Sequence, residues 1–173
     1  MKRIVQKPGF IFKFPLENGN HGYCQCVPNH ETRFFKISTK KELSIHDILN
    51  LPVAFCVVVF RSTPRKGGWE KVGVGDYPSE YYELAWKVTV DLQSGTIRKI
   101  RDSTPFDCTF EEAKDLEVIA VWAHHNVVDR LLTLLQGKNM GSLEYLVRNQ
   151  NYQFLTWSDQ GLEIKREAGT DEI

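Results

Sequence analysis

The chain has 173 residues, 42% of them apolar and 12% aromatic, which suits a folded domain with its own core and excludes a disordered or fibrous chain. Its net charge is zero, but residues 1–41 hold eight Lys/Arg against two Asp/Glu, and residues 42–173 hold fourteen against twenty. The longest apolar run, residues 53–60, has eight residues; a membrane-spanning helix needs about 20.

In chain order, Phe10, Phe12 and Phe14 alternate with Ile11 and Lys13, which predicts a strand ended by Pro15. The phenylalanines share one face; Ile11 and Lys13 take the other. Glu17-Asn18-Gly19-Asn20 predicts a hairpin turn, because Asn and Gly tolerate positive φ. A return strand follows at 21–27 and a third strand at 33–38. Ser44-Ile45-His46-Asp47 reads as an N-cap opening a short helix that Pro52 stops. The β-branched and aromatic run 53–60 predicts a central strand buried on both faces, with 69–74 beside it. Trp86, Val88 and Val90 share the inward face of another strand, which Ser94-Gly95 turns back through residues 96–100. The hairpins 10–27 and 85–100 and the strand 53–60 are expected in one sheet.

Helical signals then take over. Thr109-Phe110-Glu111-Glu112 matches the Thr-x-x-Glu capping box, so a helix begins at Phe110. Residues 118–122 read as either helix or strand. Asn126 is the expected cap of a clearer helix, with an apolar stripe of Val127, Val128, Leu131, Leu132 and Leu135, ended by Gly137. The polar tail, 162–173, is expected to be flexible. The pattern as a whole predicts a single α+β domain over 1–173: a bent, mostly antiparallel and partly barrel-like sheet, with helices in the C-terminal third.

Motifs for chemistry are sparse. Cys24 and Cys26 lie on one face of a strand without a second ligand pair, and Cys56 sits in an apolar run; with Cys108 they read as reduced, structural thiols without zinc. Adjacent His124 and His125 diverge on a helix and do not chelate one metal easily. Gly73-Val74-Gly75 lacks the third glycine of a dinucleotide fingerprint. Arg65-Lys66-Gly67-Gly68 reads as a solvated loop before it reads as a phosphate site. No catalytic residue, metal or cofactor is expected, so the residues point away from an enzyme and toward binding.

Two stretches look like contact surface. Residues 76–83 carry Asp76, Glu80 and Glu83 with Tyr77, Tyr81 and Tyr82 and no base. Tyrosines supply stiff contact area, and acids attract a basic partner. Residues 102–117 hold six acids against Lys114 alone; a solvated helix face explains these more simply.

The motif Pro8-Gly9, Phe12-x-x-Pro15-Leu16, Gly19 and Gly22-Tyr23, followed by Gly68-Trp69, Val72-Gly73 and Val127-Val128-Asp129-Arg130-Leu131, resembles the immunity protein 26 family of bacterial polymorphic toxin systems over residues 7–136. The resemblance implies a cytoplasmic protein that binds and neutralises a cognate toxin domain, often a nuclease. It brings no catalytic or interface residue with it. A nucleic-acid-binding β-barrel is the alternative, with Lys13, Arg33, Lys36, Arg65 and Lys66 around exposed Tyr23, Phe34 or Phe35; the scattered charges disfavour it. A hydrolase built on Asp107, Glu111 and His124 is a third reading. A cytoplasmic protein with a toxin partner and no membrane partner is the expectation carried forward.

Overall fold

The computed structural model describes residues 4–91, 96–138, 140–148, 155–158 and 161–164. In chain order the elements are β1 (Phe10–Pro15), β2 (His21–Cys26), β3 (Glu31–Phe35), α1 (Ile45–Leu49), β4 (Val53–Val59), α2 (Thr63–Lys66), β5 (Glu70–Val74), β6 (Lys87–Val90), β7 (Ile97–Arg101), β8 (Thr104–Asp107), α3 (Phe110–Ala113), β9 (Glu117–Val118), β10 (Val121–Trp122), α4 (His124–Leu135), α5 (Ser142–Arg148), β11 (Leu155–Ser158) and β12 (Gly161–Ile164). The fold is α+β, its sheets are open, and its longest helix lies in the C-terminal half. Two compact units result: Met1–Ala85 with Ala120–Asn139, and Trp86–Ile119 with Met140–Ile173.

The first unit is built on a six-stranded sheet in the order β10-β4-β3-β2-β1-β5. Its neighbours are antiparallel except for the parallel pair β10–β4. Because side chains alternate along a strand, one face collects Phe12, Phe14, Phe34 and Phe55 around Trp69, whose ring lies 5.4 Å from Phe14 and 5.8 Å from Phe34. Gly22, paired with Phe14 in the β1–β2 register, leaves room for that ring: a Cβ there would meet Phe14 Cζ at 2.7 Å. Helix α4 covers the β4 end of this face, placing the Arg130 guanidinium 4.3 Å from the Phe55 ring centre.

The opposite face is covered as well. Ile11, Tyr23 and Phe35 bury against Ile48 of α1, with Ile45, Leu49 and Val72 around them. Ile11, on the face opposite the phenylalanines as alternation predicts, is a core residue because α1 folds over it. Lys13, two residues on, stays at the margin and pairs with Glu42 and Glu70 at 2.8 and 3.1 Å. Ser44 caps α1 as expected, accepting the Asp47 N–H at 3.1 Å.

Several expectations are corrected. Strand β5 pairs with β1, at the far edge from β4, with no register to β4. In β4 itself Phe55, Val57 and Val59 are buried, while Val53 is 41% exposed. The third strand runs 31–35, because Asn29 and His30 both adopt positive φ (61° and 63°) and close a tight turn earlier in the chain. Residues 63–66 form the helical turn α2. Helix α4 starts at His124 with Ala123 as its cap, two residues before Asn126.

The second unit holds a four-stranded sheet, β8-β7-β6-β9, so the hairpin expected over 85–100 belongs to a separate sheet from β1 to β4. Val88 and Val90 are buried there, but Trp86 is exposed against Phe106. The turn at Ser94-Gly95 lies outside the described residues. The ambiguous stretch 118–122 resolves into β9 and β10, which join different sheets. Thr109 and Glu112 form the full capping box on α3. The Ser142 hydroxyl accepts the Val118 N–H at 2.7 Å and donates to the Leu116 carbonyl at 3.1 Å. Strands β11 and β12 pair as a hairpin, so residues 162–164 of the expected flexible tail are strand.

Candidate interaction surface

The segment 76–83 leaves β5 and returns past the β2–β3 turn, over Arg33 and Gln25. Pro78 bends it into a single 3-10 turn over Ser79–Tyr82. The Tyr81 and Glu83 N–H groups donate to the carbonyls of Pro78 and Glu80, each at 3.2 Å. The turn gives the three tyrosines different jobs. Tyr77 and Tyr82 meet on the outside, with ring centres 5.5 Å apart and hydroxyls 3.2 Å apart. Tyr82 is 67% exposed. Their mutual hydrogen bond holds the Tyr77 phenol above its usual value. Asp76, Glu80 and Glu83 are exposed around this pair.

Tyr81 points the other way. Its ring lies 5.4 Å from the Arg33 guanidinium and is half-buried. Burial pushes its phenol up, the charge of Cys56 adds to this, and Arg33 opposes it. Beneath it Arg33 is 4% exposed and Gln25 is fully buried. The Gln25 side-chain oxygen accepts from Arg33 Nε at 2.9 Å and also from Nη2. Its nitrogen donates to the Gly75 carbonyl at 2.7 Å and reaches Gly9 and Asp76 carbonyls at 3.3 Å. At the far end of the loop the Asn29 amide reaches the Tyr81 carbonyl at 3.2 Å and that of Glu83 at 3.5 Å. The six sequence-predicted residues are thus brought together, five facing out and Tyr81 facing in. Gln25 and Asn29 were missed, and Arg33 was named only as a nucleic-acid contact. A signal was present for two of them: Gln25 and Arg33 fall between residues that alternation assigns to the core.

The other candidates are placed in structural roles. Phe34 and Phe35 are fully buried and Tyr23 is 1% exposed, so the alternative stacking platform for nucleic acid is packed into the core. Arg65 and Lys66 close the last turn of α2, where cations favour the helix dipole. Asp107 pairs with Arg98 at 2.9 Å and Glu111 with Lys114 at 2.6 Å, while His124 accepts the Trp69 indole N–H at 3.0 Å on Nδ1. Burial raises the thiol of Cys24 strongly and that of Cys26 to about 11, which leaves both poor nucleophiles. All four cysteines are free. Among the described residues no three His, Cys, Asp or Glu side chains group as a metal site, and no helix is long and apolar enough to cross a membrane.

A family model, that of immunity protein 26, matches residues 7–94, which hold strands β1 to β6 and the loop between β5 and β6. The chain belongs to the immunity protein 26 family. The match covers just over half of the chain and contains the whole of loop 76–83 with Gln25, Asn29 and Arg33 beneath it. The α4 motif at Val127 to Leu131 lies beyond the matched segment of this immunity protein. No curated protein and no solved structure matches the chain.

Proposed function

We propose that this immunity protein neutralises a cognate toxin domain in the cytoplasm by forming a one-to-one complex, without turnover, and that loop 76–83 lies in the contact. The observation that carries the site is the outward pair Tyr77–Tyr82, ringed by Asp76, Glu80 and Glu83, on a loop that holds no base. Family membership supports the role. The acids favour a basic partner surface, and a toxin that acts on nucleic acid presents one in its active-site cleft. A nuclease toxin is therefore the partner this surface suits. In such a complex the tyrosines supply buried area and the acids accelerate encounter.

The test uses the cognate toxin domain that this reading requires. Tyr77→Ala and Tyr82→Ala should each weaken binding by about 2 kcal/mol or more, the hot-spot range. Cells expressing the toxin should lose protection in step. If both variants fold, bind with unchanged constants and protect fully, the contact lies elsewhere, and the acidic stretch 102–117 is the next surface to examine.

A further inference from the structure

Three polar residues of one hairpin hold the loop from below, and the places they hold it are spaced along its length. Gln25 and Arg33 are cross-strand partners in β2 and β3, and Asn29 sits in the turn between those strands. Gln25 engages the loop's entry at Gly75 and Asp76, Arg33 carries the ring of Tyr81, and Asn29 engages the exit at Tyr81 and Glu83. We propose that Gln25, Asn29 and Arg33 are positioning residues, which hold loop 76–83 in its binding shape before a partner arrives. The inference rests on the reading of that loop as the contact surface.

The chemistry of the three residues supports this assignment. A guanidinium offers only donors, so Arg33 fixes the Gln25 amide with its oxygen inward and its nitrogen toward the loop carbonyls. The Arg33 charge is then shared between Gln25 and the rings of Phe35 and Tyr81, at 5.2 and 5.4 Å. Two apolar residues would join β2 to β3 at least as stably as a buried polar pair. What apolar residues cannot do is reach backbone carbonyls outside the sheet. Asn29 does two jobs at once: its φ of 61° makes the tight turn, and the same conformation aims its amide at the loop. A loop already in its bound shape saves the ordering cost of association, and one that is competent only part of the time binds more weakly by that fraction.

Asn29→Gly separates the two jobs, because glycine keeps the left-handed turn and removes the amide. In the free, full-length protein, hydrogen exchange at the Tyr81 and Glu83 amides should quicken by about five- to tenfold, the value of one or two modest hydrogen bonds. Exchange in β2 and β3 should not change. Asn29→Asp, similar in shape but without a donor, should do the same. Unchanged exchange at Tyr81 and Glu83 in both variants overturns the proposal. So does faster exchange spread evenly through β2 and β3, which would make Asn29 an ordinary turn residue. With the toxin domain used above, Asn29→Gly should slow association by at most that factor, reached where the open loop predominates. If Tyr77→Ala and Tyr82→Ala leave binding intact while Asn29→Gly frees the loop, the reading of the contact surface has failed and the anchoring has not.

Discussion

His124 accepts the Trp69 indole N–H, and its burial makes the folded state sensitive to pH. Burial, with the neighbouring His125 in second place, holds its folded pKa below the usual value near 6.5. In the unfolded chain the ring takes up a proton as pH drops through about 6.5, while in the folded chain it resists. The stabilisation is therefore complete above that value and is lost as pH falls toward the folded pKa. The melting temperature of the wild type should decline below pH 6.5 more steeply than that of His124→Gln, which keeps an acceptor but does not titrate. The slope difference is bounded at about 1.4 kcal/mol per pH unit for one group. Parallel curves for the two proteins would show that His124 titrates normally in the fold. In the sequence the adjacent histidines read as a pair that does not chelate one metal easily. What decides the role of His124 is Trp69, distant in the chain, and no local pattern announces that partner.

Among the elements, those set by neighbouring residues were legible. The capping box on α3 forms as read, with the Glu112 N–H donating to Thr109 Oγ1 at 3.3 Å and the Thr109 N–H to Glu112 at 2.9 Å. Thr109→Ala should cost about 0.5–2 kcal/mol, the usual value of an N-cap, measured by urea unfolding. No change would mean that α3 is held by its packing alone. The caps of α1 and α3 and the strands β1, β2 and β4 could be read because each is written within a few residues. Sheet order could not. Strands β4 and β5 follow one another closely in sequence, yet β5 crosses to the far edge and pairs with β1. Period-two alternation says which residues share a face, but not which strand lies alongside. The candidate loop was legible by composition. Its division into outward Tyr77 and Tyr82 and inward Tyr81 was not, because a 3-10 turn and a buried arginine two strands away decide it.

For the whole molecule, a net charge of zero at pH 7 leaves no overall field to draw a partner in. Any electrostatic steering must come from local patches such as Asp76, Glu80 and Glu83. Glu80→Gln with Glu83→Gln should slow association with the toxin domain severalfold at low salt. At about 0.5 M salt, where screening acts within a few ångströms, the difference from wild type should close. A rate gap that persists undiminished at high salt would assign these carboxylates a direct hydrogen-bonding role instead of a steering one.

The parallel pairing of β10 with β4 has a consequence for anyone who would trim this chain to its family signature. The first compact unit is discontinuous: Ala120–Asn139 returns to complete it after a long excursion. Cutting at residue 94, where the family match ends, would strip Trp122 and α4 from beside Phe55 and leave its aromatic face bare. The portion shared with relatives is thus a signature without autonomy. Modular transfer of the recognition loop to another scaffold would have to carry the returning segment with it.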